Sequence, residues 1–183
     1  MARFEPEKHP DNPAVQALYK EIAESGLQGS EEGIPLHAFT ILGKTPDLLQ
    51  GLWGITKGVV TSGSLPPTVK QLIAMAIAMQ SDCRYCQIGH TRALEAMGVP
   101  TEIIKSCASD PELADIPPSQ RAIVKFALKT ARAPKSITDE DFALLHRHGL
   151  NDGEIMEVIM MVAWSQMLNT WTDATAVPVD GEE

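Results

Sequence analysis

Aromatic residues are scarce in this chain: Phe, Trp and Tyr make up 5% of its 183 residues. Ala, Ile, Leu and Met carry most of the 44% apolar content, a set that suits closely packed helices better than a sheet. No alternating apolar and polar stretch exceeds four residues, and there is no fixed-period repeat and no low-complexity run. Basic charge is thin as well. Fifteen Lys and Arg face 24 Asp and Glu, the net charge is −9, and no basic run exceeds two residues. Binding nucleic acid through its phosphates needs clustered cations, so that class is set aside. The acidic balance favours solubility and gives only weak attraction to anionic membranes. No apolar stretch approaches the ~20 residues that span a bilayer. The segment Met1 to Pro10 holds no apolar signal region, so the expected location is the cytoplasm. Also missing are a GxGxxG or Walker loop, a His-Glu-x-x-His pair and any local Ser-His-Asp grouping.

What the sequence does contain is a succession of helix signals. Asn12-Pro13 starts a helix that should run to about Ser25-Gly26, and residues 27–33 read as a loop. A short helix is predicted from Pro35 to Leu42. Thr45-Pro46 opens another, with Leu48, Leu49, Leu52, Trp53, Ile55 and Val59 at helical spacing. After a break at Gly63 to Pro67, a helix to Gln80 is apolar all round and should be buried on most sides. Further helices are predicted from Ser81-Asp82 to Met97-Gly98, from Pro100 to Cys107, and at about 118–132, 138–148 and 152–172. The expected fold is all-α, one domain of about eight helices. It divides into a helical N-terminal extension (1–64), a core (65–174) and a disordered tail (175–183).

Three cysteines, an odd number, do not make the disulfide framework of a secreted domain. Two of them form Cys83-Arg84-Tyr85-Cys86, followed by His90. At roughly 100° per residue, positions 83, 86 and 90 fall within an arc of roughly 60° on one helix. Cys86 and His90 are i and i+4 neighbours, and Cys83 and Cys86 can close a disulfide with modest adjustment. Ser81 or Asp82 should cap the helix just before Cys83, where free N–H groups and the dipole favour a thiolate. His90 can take a proton from Cys86 or stabilise its thiolate. A thiolate attacks the O–O bond of a peroxide and becomes a sulfenic acid. The second thiol condenses with it, and an external dithiol reduces the resulting disulfide by exchange. Adjacency to His90 points to Cys86 as the attacking thiol, with Cys83 resolving. Zinc would need a further ligand, which Cys107 or His37 could supply only through folding. An inert buried pair is the other plain reading, and Cys107, standing alone, reads as a packing residue.

A buried helix that leads through a short cap into Cys-x-x-Cys-x-x-x-His, with a long final helix, resembles the alkylhydroperoxidase D-like branch of the carboxymuconolactone decarboxylase superfamily. The matching block is Leu65 to Gly98, strongest from Ser81 to His90. Gly149 to Ala174 looks like the family's closing helix, and the first ~60 residues look like the extra helices of longer, peroxidase-related members. The resemblance implies an alkylhydroperoxidase D-like bundle without cofactor or metal. It implies peroxide reduction by Cys83 and Cys86 with His90 as relay, a thioredoxin-like or lipoamide-type reductant, and a homo-oligomer, trimer or hexamer. One position departs. The family relay has a glutamate where this chain has Gln71, which can orient a histidine or a water but cannot take a proton at neutral pH. Glu154 and Glu157 are the acidic candidates on later helices. A weaker peroxidase is the natural expectation, since general base assistance is typically worth ~10²–10⁴-fold.

Other residues have plain explanations. Tyr85 reads as a packed helix residue, with a pocket-lining role as the alternative. His146 and His148 suit the negative end of a helix dipole. Met75, Met79, Met156, Met160, Met161 and Met167 are spaced as core filler. Trp164, Ser165, Gln166, Asn169, Thr170, Trp171 and Asp173 give the last helix polar groups that could line a pocket or a subunit seam, or simply face solvent. Three readings follow: a thiol peroxidase, a lactone decarboxylase that would not need the cysteine pair, and a redox-sensing or zinc-stabilised module.

Overall fold

A computed structural model describes residues 2–182. Among them are nine α-helices: α1 (Pro13–Glu24), α2 (His37–Thr40), α3 (Pro46–Thr56), α4 (Pro67–Ser81), α5 (Arg84–Ala96), α6 (Thr101–Ser109), α7 (Pro118–Arg132), α8 (Asp139–Arg147) and α9 (Asp152–Thr175). No described residue lies in a strand; one isolated bridge joins Gln28 and Pro35. No described helix is long and apolar enough to cross a membrane. The fold is all-α.

Local chemistry sets the helix ends. Proline occupies the first position of α1, α3, α4 and α7, where its missing N–H costs nothing. Asn12 Oδ1 accepts from Ala14 N at 2.9 Å. Thr138 with Asp141, and Asn151 with Glu154, form capping boxes at α8 and α9. The predicted helix at 35–42 shrinks to the four residues of α2, and α3 continues into a π-helical turn, Lys57–Thr61.

The hub is α4. Ile73, Ala74 and Ile77 pack with Ile123 and Phe126 of α7 and with Ile155 and Met161 of α9. Leu72, Met75 and Ala76 face the other way, onto Leu94, Ile104 and Cys107. Each fully buried aliphatic side chain contributes ~1.5–3 kcal/mol. A third cluster joins Val15, Tyr19, Ile22, Phe39, Leu49 and Trp53 from α1 to α3, and Trp171 of α9 packs against both it and the α4–α9 core. Ile55 of α3 likewise packs against both clusters, and Ala38 of α2 belongs to the α4–α9 core, so the first three helices are joined to the rest by shared packing.

The break before α4 is clamped by a charge pair that periodicity could not reveal. Lys70 is buried, with Nζ donating to Val59 O at 2.8 Å and to Ser62 O. The same Nζ lies 3.4 Å from Glu157 Oε2. Glu157 also accepts from Ser64 N at 2.7 Å and Leu65 N at 3.1 Å. Gly63 has φ +93°, and a Cβ there would collide with the Glu157 carboxylate. The positive φ favours glycine here, and a Cβ would also push the Glu157 carboxylate off the clamp.

The C-terminal segment departs from expectation. Residues 176–182 are not a loose tail. Val177 and Val179 are buried, and Asp180 Oδ1 accepts from His37 N at 2.9 Å. Arg92 Nη1 donates to Asp180 O at 2.6 Å, and Arg84 pairs with Glu182 at 2.7 Å. The polar composition that suggested disorder is used up in these contacts. Glu183 lies outside the described residues.

Candidate active site

The cysteine pair lies where α4 turns into α5. Asp82 ends α4 in the left-handed region (φ 57°), a conformation Asp tolerates better than most residues. Ser81 still belongs to α4, and its Oγ bonds back to Ile77 O at 3.0 Å. Neither residue caps the next helix, contrary to expectation. The reversal is so tight that Cys83 is itself the N-cap of α5, its Sγ accepting from Cys86 N at 3.4 Å. Cys83 and Cys86 therefore stand at N-cap and N3, with their sulfurs 2.7 Å apart and unbonded.

Both cysteines are buried, but their surroundings differ. Cys86 lines a cavity of about 540 Å³; Cys83 does not. Other walls of the cavity include Gln71, Tyr85, His90, Trp164 and Asp180. Behind the pair, Thr172 Oγ1 is 3.3 Å from Cys83 Sγ and 3.5 Å from Cys86 Sγ. The hydrogen bond between the two sulfurs lowers the pKa of Cys83 against the cost of burial, helped by Thr172 and the Cys86 N–H. That same bond and burial raise the pKa of Cys86. The two thiols are thus shifted in opposite directions, Cys83 down and Cys86 up.

His90 is buried, and burial pushes its pKa down to about 4. Gln71 Oε1 lies 2.8 Å from His90 Nδ1. With the amide oxygen as acceptor, Nδ1 carries the proton and Nε2 the lone pair. Nε2 is buried without a hydrogen-bond partner, so no direct bond links it to Cys86. The ring meets Trp164 edge-on, with centroids 6.3 Å apart, and Trp164 Nε1 donates to Thr56 Oγ1 at 2.9 Å.

The other candidates separate cleanly. Glu154 is spent on its capping box and Glu157 on the clamp; neither lines the cavity. The carboxylate that does is Asp180, which also accepts from Tyr85 Oη at 2.9 Å. Tyr85 in turn accepts from Ala38 N at 3.0 Å, so it is both a packed residue and a cavity wall. Cys107 packs in the core beside Leu94, and burial raises its pKa to about 11. His146 bonds Leu150 O at the end of α8. His148 stands at the C-cap of α8. His37 Nδ1 lies 3.0 Å from Pro178 O, under the C-terminal segment. Met79, Met156 and Met167 are exposed rather than core filler. On α9, Gln166, Thr170 and Asp173 are exposed, whereas Trp164, Ser165 and Asn169 are buried. Asn169 Nδ2 donates to Ser81 Oγ at 2.7 Å, steadying the turn before Cys83. Among the described residues, no group of three or more His, Cys, Asp or Glu could hold a metal ion. Sequence reasoning missed Thr172 and Asp180. Only the fold brings them to the cysteine helix, from 89 and 95 residues beyond Cys83 and Tyr85.

An all-α bundle with paired cysteines at a helix start and a histidine one turn on defines a recognisable class. Residues 46–133 match the carboxymuconolactone decarboxylase family. Over 97% of this chain and 95% of theirs, the coordinates superpose on the alkylhydroperoxidase AhpD core of an uncharacterized peroxidase-related protein from Ralstonia eutropha, at TM-score 0.82 and 23% identity. A peroxidase-related protein from a Silicibacter species gives 0.81 and 21%, covering 100% and 96%. The debrominase Bmp8 gives 0.78 and 21%, covering 96% and 91%. An uncharacterized protein of Cupriavidus necator is 41% identical over 54 residues, or 29% of this chain and 48% of that protein. The chain thus matches about half the length of that curated relative. The match to the carboxymuconolactone decarboxylase family covers just under half of the chain, and the likeness to the solved structures shows that the fold is shared.

Proposed function

We propose that this protein is a thiol-dependent peroxidase, reducing hydrogen peroxide or organic hydroperoxides through Cys86, Cys83 and His90. One observation carries the reading: Cys86 lines a cavity shared with His90, while a second sulfur stands 2.7 Å from it.

In this reading the pair starts as Cys83 thiolate and Cys86 thiol, in line with their opposed shifts. The proton on Cys86 passes to Cys83, leaving the thiolate at the cavity wall. That thiolate attacks the terminal oxygen of ROOH, so an S–O bond forms and the O–O bond breaks. His90 Nε2 takes the hydroperoxide proton and returns it to the departing alkoxide as ROH. Cys86 is left as a sulfenate. The Cys83 thiol attacks its sulfur, closing the disulfide and releasing hydroxide. An external dithiol, of thioredoxin-like or lipoamide type, returns two electrons and two protons by exchange. Assembly as a trimer or hexamer and a cytoplasmic location complete the proposal.

The test is thiol counting before and after peroxide. Two thiols per chain should disappear and return with a dithiol, and Cys86→Ser should abolish peroxide consumption. Full thiol retention at saturating hydrogen and cumene hydroperoxide would sink the reading.

A further inference from the structure

Thr172 is buried on α9, and it is neither a cavity wall nor part of the cysteine motif. Its Oγ1 stands near both sulfurs, at 3.3 and 3.5 Å. The same oxygen donates to Leu168 O at 2.8 Å, the usual back-bond of a helical threonine. A hydroxyl has one proton and two acceptor lone pairs. While the proton is held by Leu168 O, the lone pairs are available to an S–H. When the pair carries negative charge, rotation about the C–O bond aims the proton at sulfur instead. Leu168 O loses nothing essential, because the helix ladder still supplies it with the Thr172 backbone N–H.

We propose that Thr172 is a positioning residue for the redox pair: its hydroxyl swaps donors, from the Leu168 carbonyl in the dithiol state to sulfur in the thiolate state. The thiolate is thereby stabilised from the side of the pair opposite the substrate. This rests on the thiol redox reading above and deepens it. It names the group that keeps a buried pair ionisable where burial alone favours two neutral thiols. Asp173, next along α9, acts in the opposite sense and raises both thiols. His90 supplies no competing donor, since its proton is engaged by Gln71.

The test uses the reduced full chain and no peroxide. Thiolate absorbance at 240 nm is followed against pH for wild type, Thr172→Val, Thr172→Ser and Thr172→Ala. Hydrogen bonds to a charged group are stronger than neutral ones, so loss of the hydroxyl should raise the first thiol midpoint by about one pH unit. That is tenfold less thiolate at a fixed pH below the midpoint. Valine keeps the branched shape and should show the shift, whereas serine keeps the hydroxyl and should titrate like wild type. If valine disturbs folding, the alanine and serine pair decides. Alanine shifted with serine unshifted supports the proposal. All variants titrating together, or serine shifting with alanine, overturns it. Failure of peroxide turnover with this pattern intact would refute the peroxidase reading and leave the role of Thr172 standing.

Discussion

Gln71 is the residue on which the strength of the proposed peroxidase would turn. Its amide fixes His90 by the Nδ1 bond but adds no negative charge, and burial holds the ring neutral. A carboxylate in its place would stabilise the imidazolium that forms when Nε2 takes a proton. Gln71→Glu is therefore expected to raise both the His90 pKa and peroxide turnover, the latter about tenfold or more. Unchanged turnover in a stopped-flow peroxide assay would remove Gln71 from the account. At this scale Cys83, Cys86, His90 and Gln71 were all legible, because the motif and the family pattern fix them by number. Thr172 and Asp180 were not. A threonine in a helix and an aspartate near a chain end carry no local signal of what they touch.

Among the elements, the turn between α4 and α5 and the C-terminal strap matter most. Helix periodicity found α5, but it could not place the cap. The ends of two helices compete for the same residues, and only the left-handed Asp82 shows that Cys83 won. The strap was misread because the side-chain contacts that hold it are distant in sequence. It is held by Asp180 on His37 and Tyr85, and by Glu182 on Arg84 and Arg92. It forms one wall of the cavity and leaves the sulfurs buried. A chain truncated after Ala176 should expose Cys86, accelerating its modification by a bulky maleimide about tenfold or more, as expected when a protected segment no longer has to open. Equal rates in the two proteins would mean that reagents reach Cys86 by another route.

Across the whole molecule, stability concentrates at α4. Binary patterning revealed the buried character of α4, because its apolar residues run all round. It could not reveal that Lys70, in the same helix, is fully buried on the clamp with Glu157. Lys70→Ala removes the cation from that cluster and leaves Glu157 and two carbonyls less satisfied. A loss of about 2–3 kcal/mol is expected, read from urea unfolding. Acid should act through His90. Its folded pKa, about 4, is below the unfolded value of 6.5, so the unfolded chain binds the proton first. Stability is then retained above about pH 6.5 and lost as pH falls toward about 4, by about 3 kcal/mol in total. His90→Gln should flatten this stretch of the stability–pH curve; an unchanged slope would assign the acid sensitivity elsewhere.

The edge-on contact between His90 and Trp164 also gives the site a built-in optical signal. An imidazolium beside an indole quenches its emission by accepting an electron from the excited ring, whereas a neutral imidazole does so weakly. With Trp53 and Trp171 replaced by Phe, Trp164 would report the charge of His90 directly. Its emission should dim as the ring protonates near pH 4, and in the Gln71→Glu protein the dimming should move to higher pH.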